Sequence, residues 1–183
     1  MKNILLAIVG LAGAGKTEST EYAIKKTGWP KVYLGQGVID EVNRRGLEVN
    51  EANERAARED LRKQYGMAAM AIVNLPRIKE LFATSNVVIE SHYSWEEYIK
   101  FKEEFGDQFK VLAIYTSFPI RAARMKTRPV RPLNEQDLQS RDYSQIENLH
   151  QAGPIARADW TIINEGTKEE LYQNLDKILD KLT

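Results

Sequence analysis

The chain has 183 residues, of which 43% are hydrophobic and 28% are charged, so it can form a packed domain and is not expected to be disordered. Its 26 Lys and Arg residues balance its 26 Asp and Glu residues, which disfavours a general polyanion binder. The absence of cysteine excludes disulfides, thiolate metal sites and cysteine nucleophiles. Since no apolar run reaches the roughly 18 residues that a membrane span needs, we expect a soluble, cytoplasmic protein.

Short apolar runs alternate with stretches of helical periodicity along the whole chain. The predicted strands are residues 3–9, 31–35, 86–90, 109–117 and 158–164. The predicted helices are 17–28, 37–47, 50–66, 67–84 with a kink or a new start at Pro76, 94–106, a helix from about Pro119, 135–153 and 168–182. Near-continuous apolar strands that alternate with helices indicate a parallel sheet covered on both faces, the α/β class.

A glycine-rich segment, GLAGAGKT, joins the first strand to the first helix. Its spacing, Gly10-x-x-x-x-Gly15-Lys16-Thr17, is typical of a phosphate-binding loop, whose backbone N–H groups form an anion nest at the helix N-terminus. Lys16 is expected to reach the β- and γ-phosphates, and the Thr17 hydroxyl to bind Mg²⁺. ATP and Mg²⁺ are therefore the predicted cofactors, with GTP an open alternative, and a plain glycine turn is the competing interpretation. The nucleotide-binding residues expected in the loop are Gly10, Ala12, Gly13, Ala14, Gly15, Lys16 and Thr17.

Five cationic residues follow the fourth predicted strand within eleven positions: Arg121, Arg124, Lys126, Arg128 and Arg131. On a helix, Arg121, Arg124 and Arg128 share one face. Such a cluster could clamp phosphates as charge develops during transfer, with Arg124 and Arg128 as catalytic cations and Arg131 binding the nucleotide. A solvated basic helix end is the alternative.

Glu90 ends the third predicted strand at the carboxyl edge of the sheet, where α/β proteins bind ligands. We expect it to act as a catalytic and metal-site residue, holding a Mg²⁺-bound water or taking a proton from the acceptor. A merely solvated strand end is the alternative. His92, two residues later, is a weaker candidate for contact with the acceptor.

These features predict one P-loop NTPase-type domain over residues 1–183, with a five-stranded parallel sheet between helices. The two insertions expected in it are a helical acceptor-side region at 37–84 and a short lid at 125–135. A GTPase is disfavoured because the nearest string to the guanine-reading N-K-x-D element, NEQD at 134–137, lacks the lysine.

The chain resembles the nucleoside-monophosphate-kinase branch of P-loop proteins, and more closely dephospho-CoA kinases and adenylate-kinase-like proteins of archaea and bacteria. The resemblance covers nearly the whole chain and is carried by GLAGAGKT, LGQGVIDEVNRRGLE, NVVIESHYSWEEYIKFKEEFG, VLAIYTSFPIRAARMKTRPVR and ADWTIINEGTKEEL. In such relatives the last strand ends in an Asn and a Gly beside the adenine. The resemblance thus implies that Asn164, Glu165 and Gly166 line the base, whereas a tight turn before the last helix is the alternative.

Two segments depart from the pattern of those relatives. They usually have aspartate at the position of Glu90, followed by a glycine and soon after by an arginine, whereas this chain has ESHYS. They often carry Asp and Arg where this chain has Gln36 and Ile39, and that arginine holds the acceptor phosphate in many monophosphate kinases. The candidates to replace it are Arg44, Arg45, Arg58 and Arg62.

Two functions from different classes are compatible with this sequence. The first is an ATP-dependent phosphotransferase that moves the γ-phosphoryl group to a small nucleotide or a dephospho-CoA-like acceptor. The second is a nucleotide-binding sensor or regulatory protein with little or no kinase activity. A nucleic-acid partner is disfavoured because no basic face with interleaved aromatic residues is present. We expect a monomer or homodimer without a membrane partner.

Overall fold

The structure is a computed structural model, and it describes residues 2–91, 93–129 and 131–182. Its strands are β1 (Leu5–Val9), β2 (Lys31–Tyr33), β3 (Val87–Glu90), β4 (Phe109–Tyr115) and β5 (Trp160–Ile163). Its helices are α1 (Lys16–Thr27), α2 (Gln36–Arg44), α3 (Glu51–Tyr65), α4 (Ala69–Phe82), α5 (Trp95–Phe105), α6 (Phe118–Lys126), α7 (Glu135–Glu147), α8 (Ala152–Ala156) and α9 (Lys168–Leu179).

The five strands form one sheet in the order β2-β3-β1-β4-β5, and every strand pair is parallel. In the central strand, Leu5 pairs with Val87 on one side and with Phe109 on the other. The predicted five-stranded parallel sheet of the P-loop type is confirmed. Because β1 is central, the loop that follows it opens at the middle of the carboxyl edge.

The core has one layer on each face of the sheet, because side chains alternate along β1. Leu5, Ala7 and Val9 pack against α2 to α5, and Leu6 and Ile8 pack against α1 and α9. A third, smaller cluster of Ala12, Met125 and Leu138 joins the phosphate loop to α6 and α7. The helices after β4 are therefore packed directly on the loop.

Two helix predictions differ from the structure. The helix expected at 135–153 is divided into α7 and α8, since His150 adopts a left-handed backbone conformation with φ 53°. By contrast, α4 continues through Pro76, so the new start is wrong, while the kink expected there stays a prediction. Asn74 and Ile78, on either side of the proline, are both buried. Packing on both sides of Pro76 therefore stabilises one continuous helix. Within the described residues, no helix combines the length and apolar character needed to cross a bilayer.

Candidate nucleotide-binding site

The loop between β1 and α1 has a backbone that requires glycine at three positions. Gly10, Gly13 and Gly15 have φ angles of 149°, 80° and 104°, which side chains disfavour. A Cβ atom on Gly10 would lie 2.4 Å from the Ile114 carbonyl oxygen, and one on Gly15 would lie 2.4 Å from Asn164 Nδ2. The spacing read from the sequence therefore reflects backbone geometry and close packing, as a phosphate-binding loop needs.

The carbonyl groups of this loop are tied to the body of the protein by buried side chains. Gln151 Nε2 donates to Gly10 O at 3.1 Å, and Arg121 Nη1 donates to Ala12 O at 3.0 Å. Asn164 Nδ2 and Thr116 Oγ1 donate to Ala14 O at 2.8 and 3.1 Å.

Each tied carbonyl also orients an amide. In a planar trans peptide the N–H of the next residue points the opposite way, so the amides of Leu11, Gly13 and Gly15 are directed away from the core. The first N–H groups of α1 have no intrahelical partner either. The loop and the start of the helix therefore present a set of donors suited to an anion.

Lys16 lies at the centre of this arrangement. Its Nζ donates to Leu11 O at 3.0 Å. The pKa of Lys16 is lowered to about 8, mainly by burial and also by the positive charges of Arg141, Arg121 and Arg128, against the raising effect of Asp142. The site thus carries positive charge that the surrounding carboxylates do not neutralise, and the negative charge of a polyphosphate would neutralise it.

A cavity of about 640 Å³ opens over the loop. It is lined by the predicted site residues Ala12, Gly13, Gly15, Lys16, Thr17, Arg124, Arg128 and Arg131. Other lining residues include Glu18, Glu21, Tyr93, Arg141 and Lys168. Lys168 is already paired with Glu18 at 2.8 Å, so the excess positive charge comes from Lys16 and the arginines. A cavity of this volume suits a nucleotide-sized ligand.

The cationic segment after β4 divides into two groups. Arg124 donates from Nη1 to the carbonyl oxygen of Asn164 at 3.0 Å and lines the cavity, and Arg128 and Arg131 line it from exposed positions. Arg121, however, is 4% exposed and all three nitrogens of its guanidinium donate to protein oxygens. Its expected part in a phosphate clamp is therefore wrong, because it lies below the loop and holds it.

Five residues of the predicted site lie outside the cavity lining, namely Gly10 and Ala14 of the loop and three residues elsewhere. Glu90 forms an ion pair with Lys31, its carboxylate 2.7 Å from Nζ. The Asn164 side chain is buried beneath the loop, where it bonds Ala14 O. Gly166 lies in the connection between β5 and α9. The roles of Glu90 with the metal and acceptor, and of Asn164 and Gly166 beside a base, stay predictions.

The segment after β3 has an unusual backbone. Ser91 occupies a left-handed conformation with φ 68°, at the position where the relatives usually have glycine. His92, the weaker acceptor candidate, lies outside the described residues. Tyr93 lines the cavity, and its backbone N–H donates to Glu97 at 2.9 Å. Tyr93 thus reaches the site from the part of the chain that follows β3.

Sequence reasoning missed Arg141 and Tyr93 as cavity residues. The available signal for Arg141 was its neighbour Asp142, which shares the buried face of α7 with Leu138 and Gln145. A carboxylate on a buried face implies a cationic partner, and that partner is Arg121 on α6. The same pairing fixes the part of α7 that carries Arg141.

Of the four arginines proposed to replace the missing acceptor arginine, two are already engaged in close ion pairs. Arg44 and Arg45 both bind Glu41, at 2.7 and 2.8 Å. Arg58 has only a 3.9 Å ion pair with Glu54. In the part of the chain that the structure describes, Arg62 forms no ion pair and its Nε is buried without a partner. These last two arginines therefore remain the candidates.

The residues of the cavity also fit a magnesium ion that is held mainly by the phosphates of a bound nucleotide. Thr17 presents an exposed hydroxyl at the start of α1, and Glu18 and Glu21 add carboxylates to the wall. Among residues 2–91, 93–129 and 131–182, no group of three His, Asp or Glu side chains forms a separate cation site. Mg²⁺ usually takes only one or two protein ligands and completes its shell with phosphate oxygens and water. The few oxygen ligands that Thr17, Glu18 and Glu21 offer in the cavity lining are therefore sufficient.

Comparison with known proteins places these features in context. A family model described as AAA domain matches residues 6–147. A UPF0200 protein of Thermococcus gammatolerans is 30% identical over 98% of this chain and 95% of its own length. A UPF0200/UPF0201 protein of Archaeoglobus fulgidus is 31% identical over 97% of this chain, which spans only 55% of that longer protein.

Two solved structures share the fold at low identity. A gluconokinase from Sinorhizobium meliloti aligns over 98% of this chain and 93% of its own, with a TM-score of 0.60 and 16% identity. A shikimate kinase from Bacteroides thetaiotaomicron aligns over 97% of this chain and 98% of its own, with a TM-score of 0.57 and 17% identity. These structures confirm a P-loop kinase-like architecture, and their identity is too low to establish more than the fold.

Proposed function

Since this chain belongs to the UPF0200 family and, over residues 6–147, to the AAA domain family, we propose that it binds Mg-ATP and transfers the γ-phosphoryl group to a small molecule. The observation that carries this proposal is the loop whose carbonyls are tied back while its amides and Lys16 face a cavity lined by four arginines. We place the acceptor in the class of small nucleotides or dephospho-CoA-like molecules.

Each part of the site has a role in this reaction. The bound nucleotide supplies the transferable phosphoryl group. The loop amides and Lys16 bind its β- and γ-phosphates, and Thr17 contributes a hydroxyl to the Mg²⁺ shell. The arginines at 124, 128, 131 and 141 lie where negative charge builds during transfer, and fixed cations in a partly dehydrated cavity lower the barrier most.

The acceptor would approach from the side of β2, β3 and α3. Tyr93 lines the cavity there, and Arg58 and Arg62 are the arginines of α3 that remain available for an acidic group. Glu90 would orient the acceptor or a metal-bound water once its pairing with Lys31 is exchanged. Closure of the 37–84 helices and the 125–135 lid would then exclude water.

The Glu90–Lys31 ion pair also favours a second candidate, a nucleotide-binding sensor with little or no kinase activity. In that case the loop and arginines bind ATP, but no carboxylate is directed to the acceptor. The two candidates differ in whether an acceptor stimulates turnover.

A panel assay of ADP release separates them. Purified protein with Mg-ATP is tested with nucleoside monophosphates and dephospho-CoA, and with gluconate and shikimate because the two kinases of similar fold are named for them. Lys16→Ala serves as the inactive variant, and Lys25→Ala, on an exposed part of α1, as the matched control. Acceptor-stimulated release that Lys16→Ala lacks and Lys25→Ala keeps supports the kinase. Tight ATP binding without any stimulation supports the sensor and overturns the kinase.

A further inference from the structure

The most completely bonded ion pair below the cavity joins Arg121 of α6 to Asp142 of α7. The two side chains meet in two parallel hydrogen bonds, Nη1 to Oδ1 at 3.0 Å and Nη2 to Oδ2 at 2.7 Å. The residues are 4% and 6% exposed, so water contributes little to either charge. Such bidentate geometry fixes orientation as well as distance.

The same guanidinium also bonds the two backbone segments that flank the site. Nη1 donates to Ala12 O in the phosphate loop at 3.0 Å, and Nε donates to Thr116 O after β4 at 3.1 Å. One side chain therefore connects the loop, the end of β4, α6 and α7. The apolar contacts of Met125 with Ala12 and Leu138 support the same junction.

Arg121 and Asp142 lie on the two helices, α6 and α7, that flank the predicted lid. Residues 127–134 connect α6 to α7, and Leu133 N donates to Met125 O at 3.1 Å across the base of this connection. Arg141, next to Asp142 on α7, lines the cavity with Lys16. The position of Arg141 relative to the loop is thus set through Asp142 and Arg121.

We propose that the Arg121–Asp142 pair is a positioning device that holds the Gly13 amide and Arg141 in register for phosphoryl transfer. The proposal rests on the proposed function. It explains why a charged pair is retained here, since a buried ion pair is often no more stabilising than apolar residues of similar volume. Arg121 directs the Ala12 carbonyl inward, and the Gly13 amide consequently outward, whereas an apolar pair could fill the space but could not do this.

Two variants test the proposal. Asp142→Asn keeps the shape but removes the charge, and the double variant R121M/D142L replaces the pair by apolar side chains. Asp137→Asn, an exposed carboxylate on the same helix, is the matched control. Each protein is compared by thermal unfolding, by calorimetric titration with Mg-ATP, and by kcat and KM for the best acceptor of the panel.

The double variant gives the decisive result, because Asp142→Asn leaves a buried cation without its partner and can lower stability by that route alone. We expect R121M/D142L to be destabilised less than Asp142→Asn, because it leaves no unpaired buried charge and only the Ala12 and Thr116 carbonyls lose a donor. Its kcat should still fall on the order of 10²-fold, the effect of a displacement of about 1 Å in a reacting geometry, with a smaller change in KM. A double variant that is folded and has the wild-type kcat would overturn the proposal. So would a double variant whose kcat returns to the wild-type value under conditions in which its stability does, because its loss of kcat would then come from unfolding alone.

The pH profile of binding adds a readout that a purely structural role would not move. Asp142 raises the pKa of Lys16, and Arg121, Arg128 and Arg141 lower it. In Asp142→Asn the affinity for Mg-ATP should begin to fall at a lower alkaline pH than in the wild type. In R121M/D142L, which loses one charge of each sign, this downward shift should be absent, so a loss of kcat that the double variant still shows comes from altered positioning and not from the pKa of Lys16.

The wild type distinguishes the two levels of inference. If the wild-type protein shows no turnover with any acceptor, the proposed function fails, whether or not Mg-ATP binds, and the variants are not needed. If the wild type turns over and R121M/D142L does so to an equal degree, only the positioning role fails.

Discussion

Replacing Lys16 by methionine should stabilise the unliganded protein while abolishing its response to nucleotide. Methionine keeps most of the apolar stem but removes the charge. The pKa of Lys16 is lowered from 10.5 to about 8, and one pKa unit corresponds to 1.36 kcal/mol. Keeping the ammonium charged at pH 7 therefore destabilises the fold by roughly 3 kcal/mol.

The hydrogen bond from Lys16 Nζ to Leu11 O offsets part of this gain. Its loss costs about 1 kcal/mol, and Leu11 O keeps the Ala14 N–H at 3.2 Å as a partner. A net increase of about 2 kcal/mol remains. For a chain of this size, 1 kcal/mol shifts the unfolding midpoint by about 2–4 °C, so Lys16→Met should unfold about 4–8 °C higher than the wild type.

The effect should depend on pH in a defined direction. Because the folded-state pKa of Lys16 lies below its unfolded value, the folded protein binds fewer protons between pH 8 and 10.5, and wild-type stability rises across that window. The advantage of Lys16→Met is therefore largest near pH 7 and disappears towards pH 10.5.

Thermal unfolding with and without Mg-ATP measures both halves of the prediction. At a nucleotide concentration of about 100 Kd the wild type should gain about 2.7 kcal/mol, whereas Lys16→Met should gain nothing. Lys25→Met on the exposed face of α1 is the control and should behave as the wild type. An unliganded Lys16→Met protein that unfolds at or below the wild-type temperature would refute the reasoning about buried charge.

Three further predictions concern single positions. Gly15→Ala should lose Mg-ATP binding in calorimetry and roughly 1–3 kcal/mol of stability, because φ is 104° and the new methyl would meet Asn164; normal binding would contradict the loop geometry. Burial raises the pKa of Glu97 to about 7, so wild-type stability in urea titrations should fall as pH rises from 4.5 to 7, by up to about 3 kcal/mol, whereas Glu97→Gln should show no such slope. Arg141→Gln should reduce kcat on the order of 10²-fold with stability within about 0.5 kcal/mol of the wild type, and an unchanged kcat would exclude Arg141 from the reaction.

The parts of the fold set by local patterns were predictable from the sequence. Apolar runs located all five strands, most clearly the central β1, β3 and β4, which are buried on both faces and need apolar side chains there. The spacing of Gly10, Gly15, Lys16 and Thr17 located the loop, because few other residues tolerate its φ angles and close contacts. Both signals depend on residues near each other in the chain.

The parts of the site set by long-range pairing were not predictable. Helical periodicity placed Arg121 on one face with Arg124, but it could not reveal that Asp142, 21 positions later, captures Arg121 below the loop. Likewise, strand position placed Glu90 at the correct edge, but its pairing with Lys31 depends on which strands are neighbours. Arg141 was missed for the same reason.

Calorimetric titration of the wild type with Mg-ATP, alongside Mg-ADP and adenosine, tests the central claim most directly. If the tied-back carbonyls and Lys16 make the loop a polyphosphate site, Mg-ATP and Mg-ADP should bind with one site per chain, and adenosine, which lacks phosphates, should bind far more weakly. Absence of heat with both nucleotides, or equal affinity for adenosine, would contradict the account.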